Sequence, residues 1–298
     1  MAMGSTLPRR ALGQQLRKLR ERNEISQAQA SRIAETSPQS YGRLEDGRIT
    51  KVTDMALNAL ANAYRATDEE RRLLLDLARE IRVSPASGSG WWRAYSDAIA
   101  QGFDHYLALE EAANHVTSWQ TAVVPGLLQT REYRRALTWA MLPNGSQDEV
   151  ERQLALFAER RNALRSENFR FEALLSEAVV RQQVGSPSVI AEQLKHLIEQ
   201  SEKPEVEVRI LPFRETRPVG LVASFVLFEF PPLASSGLLA PPAVHIEGLV
   251  GELYIERESE VSEYMRQAAM IRRVALSESA SREWMVKTLK ETAHDGVI

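Results

Sequence analysis

Between Ile25 and Arg48 the apolar positions break and resume helical spacing within 24 residues. Ala30, Ile33 and Ala34 share one face of a short helix. Ser26 stands at its N-cap, and Gln29 lies three residues on, the spacing of a capping box. After Glu35, Thr36 and Ser37, a second helix starts with Ser37 as N-cap and Pro38 in the first turn, where a missing N–H costs nothing. Tyr41 and Leu44 form its inner face, and Gly47 supplies a left-handed stop. Two short helices joined by a tight turn are a helix-turn-helix. Upstream, Leu12, Leu16 and Leu19 stripe another helix, ringed by Arg9, Arg10, Arg17, Lys18, Arg20 and Arg22. Beside a helix-turn-helix, those cations are expected to help hold a DNA backbone. Downstream, Leu57, Leu60, Ala61 and Tyr64, and then Leu74, Leu77, Ala78 and Ile81, stripe two more helices opened by Thr53-Asp54 and Thr67-Asp68. Residues 1–82 therefore read as a five-helix bundle.

Residues 83–90 (VSPASGSG) have linker composition. Beyond them, residues 91–168 read as mainly helical, with an extended stretch over 116–124, a Pro125-Gly126 turn and a helix opened by Thr130. From Phe169 the period changes: Phe169, Phe171, Ala173 and Leu175 alternate, as do Val206, Val208 and Ile210. Further strands are expected over 222–230, 243–247 and 251–256, with helices over 186–202, 260–275 and 281–291. Strands interleaved irregularly with helices predict a mixed or antiparallel sheet in an α+β body over 169–298.

Charge sharpens this division. The chain has 298 residues and a net charge of −3, but residues 1–82 hold 15 basic against 11 acidic side chains. The remainder holds 22 against 29. A basic end on an acidic body suits phosphate binding confined to one face. No cysteine is present, which removes disulfides and thiolate chemistry. The N-terminus has no signal-peptide h-region, and no apolar run approaches the roughly 20 residues of a membrane span, so the expected location is cytoplasmic. The five histidines are scattered outside metal-binding spacings, and no Walker, GxGxxG or GxSxG motif occurs. No enzyme activity, cofactor or metal is expected.

With Tyr41 and Leu44 inward, a rotation of about 100° per residue puts Gln39 and Arg43 outward, one turn apart. Gln can read adenine and Arg guanine, each bidentately, in a major groove. Ser40 and Gly42 flank them without bulk, and Gly42 costs a helix interior about 1 kcal/mol relative to Ala. Gln39, Ser40 and Arg43 are the candidate base readers. Ser37, Arg48 and Lys51 are candidates for the DNA backbone.

The stretch resembles the helix-turn-helix of Xre-type, lambda-repressor-like regulators without insertion or gap. The resemblance makes the helix from Ser37 the recognition helix and places Gln27 on a DNA phosphate. It also pairs Glu45 with an arginine of the first helix, here Arg20. Pro38 and Gly42 depart from the family, where base-reading side chains often stand. Residues 91–285 resemble the C-terminal domain of WhiJ-like, antitoxin-like actinobacterial Xre-type regulators. The similarity rests on Trp91-Trp92, Val124-Pro125-Gly126-Leu127-Leu128-Gln129-Thr130, Tyr133, Ser176-Glu177-Ala178, Leu211-Pro212-Phe213 and Glu247-Gly248. Members of that group tend to be encoded beside a small partner protein.

The expectation is a DNA-binding transcription regulator that binds double-stranded DNA as a homodimer. Its body would make the dimer and respond to a small-molecule effector or a small protein partner. Trp91, Trp92, Tyr95, Trp119 and Gln129 are the candidate contacts, although core packing explains such aromatics equally well. The alternatives are an antitoxin-like protein that mainly holds a partner, and a DNA-tethered enzyme.

Overall fold

The computed structural model describes residues 7–48, 52–83, 91–95, 99, 103–162, 168–215, 222–233, 237–248 and 251–295. It divides into two compact units. The first comprises Met1–Trp91 with the segment Phe230–Pro241, and the second Trp92–Glu229 with Pro242–Ile298. Most of the linker over 83–90 lies outside the described residues, as does Lys51.

The first unit is built on α1 (Leu7–Arg22), α2 (Gln27–Ile33), α3 (Pro38–Glu45), α4 (Asp54–Ala63) and α5 (Asp68–Val83). Leucines at helical spacing meet in one core: Leu12, Leu16, Leu57, Leu60, Leu74 and Leu77 are all fully buried. Tyr41 and Tyr64 join them, and their hydroxyls bond each other at 2.6 Å, which satisfies two polar atoms that burial would otherwise strand. Burial raises both phenol pKa values, Tyr64 to about 12, so the pair stays neutral.

The basic stripe of α1 departs from expectation. Arg9 and Arg10 are buried rather than presented to solvent. Burial holds the Arg9 pKa below the usual guanidinium range, and Arg10 lies over the Phe230 ring, 5.1 Å from its centroid. Arg22 is paired bidentately with Glu70 of α5. Lys18 stays exposed. Arg22 therefore ties α1 to α5, and Arg9 and Arg10 are enclosed instead of lining a DNA-facing surface.

The second unit is a six-stranded mixed sheet with helices. Its strands are β1 (His115–Gln120), β2 (Arg170–Ser176), β3 (Val206–Leu211), β4 (Phe225–Glu229), β5 (Ala243–Gly248) and β6 (Gly251–Ile255). The order is β3-β2-β1-β4-β5-β6. β1, β2 and β3 run parallel, and β4, β5 and β6 continue antiparallel from β1. The crossover helices are α7 (Arg131–Met141) and α8 (Gln147–Arg160) between β1 and β2, and α9 (Glu177–Arg181) and α10 (Pro187–Gln200) between β2 and β3. Helix α6 (Phe103–Ala112) precedes the sheet, and α11 (Glu258–Val274) and α12 (Glu278–Asp295) follow it. β1, from the mainly helical stretch 91–168, sits between β2 and β4 and so shares one sheet with the strands of 169–298. Helix α9 has no counterpart in the sequence-based expectation. Ser176 caps it directly at the end of β2, leaving no loop for a breaker signal.

Candidate nucleic-acid interface

Each end of α2 and α3 is closed by local chemistry. Ser26 Oγ accepts from the Gln29 amide while Gln29 Oε1 accepts from the Ser26 amide, a complete capping box. The helix stops at Glu35, which takes a left-handed φ of 51° as the Thr36 amide reaches back to Ser31 O. Ser37 Oγ then caps α3 by accepting from the Ser40 amide, with Pro38 in the first turn. Gly47 closes α3 at φ 67°: its amide donates to Leu44 O and that of Arg48 to Arg43 O, the paired bonds of a Schellman stop.

Tertiary contacts then hold α3 in place. Arg20 Nε donates to Glu45 Oε1 at 2.6 Å and Arg20 Nη2 to Glu45 Oε2 at 3.0 Å, so α1 grips the end of α3 through a bidentate, buried pair. The hydrogen bond to Glu45 raises the Arg20 pKa. Arg20 Nη1 also donates to Ile25 O at the entry to α2. Gln27 Nε2 completes the network by donating to Glu45 Oε2 at 2.8 Å. One carboxylate thus ties together three helices, and Arg17 adds a bond to Asp46 at 2.7 Å.

The face left outward carries Gln39 and Arg43, both exposed, with Ser40 half-buried between them. The Ser40 hydroxyl accepts from Ser37 Oγ at 2.9 Å, so both hydroxyls are engaged at the helix start. Gln27 and Arg48 are exposed as well. The geometry presents a guanidinium and a carboxamide on a short, rigidly held helix, with a second carboxamide alongside.

The sequence matches the Helix-turn-helix domain family over residues 11–74, which contains this whole network. It also matches the Domain of unknown function DUF5753 over residues 103–287. The chain belongs to the DUF5753 family. No curated protein and no solved structure matches it. The helix-turn-helix domain of this DUF5753 protein suggests a DNA-binding regulator.

Within the DUF5753 body, two of the suggested contact residues, Trp119 and Gln129, are buried. Trp119 is fully buried in the core with Leu174, Phe225 and Ile271, and its Nε1 donates to Val222 O. Gln129 is buried and donates to Val124 O at 2.7 Å, closing its own loop. Gln193 pins the same loop from α10, bonding Leu128 O and the Thr130 amide. Gly126 lies against the Arg160 guanidinium, itself buried and bidentate to Glu110. The motif over 124–130 is therefore a packing loop. Trp91 and Tyr95 are half-buried in a short 3-10 turn, and the division between units falls between Trp91 and Trp92.

A different feature lies between the sheet and α11. Thr117, Glu172 and Arg272 line a cavity of about 460 Å³ together with His115, Glu207 and Glu229. Glu172 is buried, accepts from Thr117 Oγ1 at 2.9 Å, and is bidentate to Arg272. The hydrogen bond from His115 holds the Glu229 pKa below the usual carboxylate range. Glu172 was not singled out by sequence because strict alternation puts it on the solvent side of β2. In the structure positions 171–175 are all buried, so the strand has no solvent side. Among the described residues, no group of three or more His, Cys, Asp or Glu is placed to hold a metal ion.

Proposed function

We propose that this protein is a sequence-specific, Xre-type transcription regulator that acts in the cytoplasm. It inserts α3 into the major groove of double-stranded DNA, reads bases with Gln39, Ser40 and Arg43, and meets the backbone with Gln27, Ser37, Arg48 and Lys51. The observation that carries this reading is the exposed Gln39 and Arg43 on a helix held rigid by the Arg20–Glu45–Gln27 network. A single short helix reads only a few base pairs, so the protein acts as a homodimer. Its two recognition helices lie about 34 Å apart, one DNA turn. The DUF5753 body makes that dimer and answers to an effector or partner.

The test is selection of duplexes from a random-sequence pool by the full-length protein. A recovered two-fold-symmetric site with one-turn half-site spacing is the expected result. Recovery of no preferred sequence would overturn the reading.

A further inference from the structure

Three glycines surround the recognition helix, and the fold demands two of them. A Cβ on Gly13 would lie 2.4 Å from Glu45 O and 2.6 Å from Leu44 O, so α1 and α3 can touch only if that side chain is missing. Gly47 has a φ of 67°, and its Cβ would lie 2.9 Å from Arg10 Cα. Gly42 is different. It sits inside α3, is half-exposed, and a Cβ there would touch only Gln27 Oε1, at an ordinary 3.7 Å. A glycine in a helix interior costs about 1 kcal/mol relative to alanine. Among the described residues nothing recovers that cost, which leaves the space open to a partner.

Its position says which part of the partner. Gly42 immediately precedes the outward Arg43 and lies beside Gln27 at the start of α2. Gln27 Nε2 gives one hydrogen to Glu45, whose carboxylate Arg20 fixes in turn. The second Nε2 hydrogen has no partner among the described residues, and an amide donor suits a phosphate oxygen. Resting on the DNA-binding reading above, we propose that the bare backbone at Gly42 seats a segment of DNA sugar–phosphate flush against α3. Gly42 thereby sets how deeply the recognition helix enters the groove. A methyl group there would lift the whole helix, lengthening the reach of Gln39 and Arg43 together. The loss would be shared by all sequences, because backbone contacts position the protein and do not read bases.

Gly42→Ala in the full-length protein tests this with two readouts. The thermal midpoint should hold or rise. Affinity should fall at least about tenfold, both for a duplex selected by the wild-type protein and for a scrambled duplex of the same composition. Unchanged affinity would overturn the inference while leaving the DNA-binding reading intact. A lowered midpoint would also overturn it, because the fold would then need the glycine. A loss confined to one base position would replace backbone seating with base reading and so overturn it. If the wild-type protein enriches no duplex at all, the DNA-binding reading fails, and this inference fails with it.

Discussion

Arg20 and Glu45, 25 residues apart in the chain, meet in a bidentate pair in which the carboxylate side chain is fully enclosed. A buried ion pair adds little net stability over an apolar pair, but removing one partner leaves an uncompensated charge. Glu45→Ala strands Arg20 and frees Gln27, and is expected to destabilise the protein by about 3–5 kcal/mol. Arg20→Ala should cost a similar amount, and the double variant much less than the sum. Urea unfolding of the four proteins checks this; additive losses would mean the two side chains do not act as a unit.

Gly13→Ala drives a methyl into the carbonyls of Leu44 and Glu45. Those atoms belong to the backbone of α3 and cannot rotate away. The expected loss is about 3 kcal/mol or more, at the upper end for overpacking. Thermal unfolding reads it, and a midpoint near that of the wild-type protein would refute the close contact of α1 with α3.

Arg43→Ala should weaken binding to the selected site by about 1–3 kcal/mol and relax the preference at one position per half-site. Gln27→Ala and Lys51→Ala should instead weaken all sequences alike, and Lys51→Ala should also flatten the salt dependence. Repeating the duplex selection with each variant separates the two behaviours. A uniform loss in Arg43→Ala, with its preferences intact, would remove that residue from base reading.

His245 is expected to make the second unit acid-sensitive. It is buried between the rings of Tyr106 and Tyr254, and burial lowers its pKa to about 4, with His105 and Arg160 acting in the same direction. Glu252 stands 3.5 Å from Nε2, but burial also pushes that carboxyl upward. In the unfolded chain a histidine titrates near 6.5, so between about pH 6.5 and 4 the unfolded state binds the extra proton. The stabilisation is complete above about pH 6.5 and is lost progressively as pH falls to about 4, up to about 3 kcal/mol. His245→Gln should flatten this part of a stability–pH profile. An unchanged slope would assign the acid sensitivity elsewhere, with His196 as the next candidate, its pKa also lowered to about 4 by burial and by Arg161.

What the sequence determined by itself are the features whose causes are local. Ser26 with Gln29, Ser37 with Pro38, and Gly47 each act within a few residues, so the bounds of α2 and α3 could be read directly. Alternating apolar positions located β2 and β3 for the same reason. The Arg20–Glu45 pair came from family resemblance, since nothing in a 25-residue separation dictates it.

Tertiary structure alone decided the rest. It inserted β1 between β2 and β4 and enclosed Glu172, because pairing across such distances depends on which apolar faces are buried together. It grouped Phe230–Pro241 with the first unit and buried Arg9 and Arg10, which the sequence had placed among expected DNA contacts. It also separated Gly13 and Gly47, where a Cβ would collide with backbone, from Gly42, where the described residues leave room for one. A glycine looks the same in any sequence. Only the atoms around it show whether the protein itself needs the missing side chain.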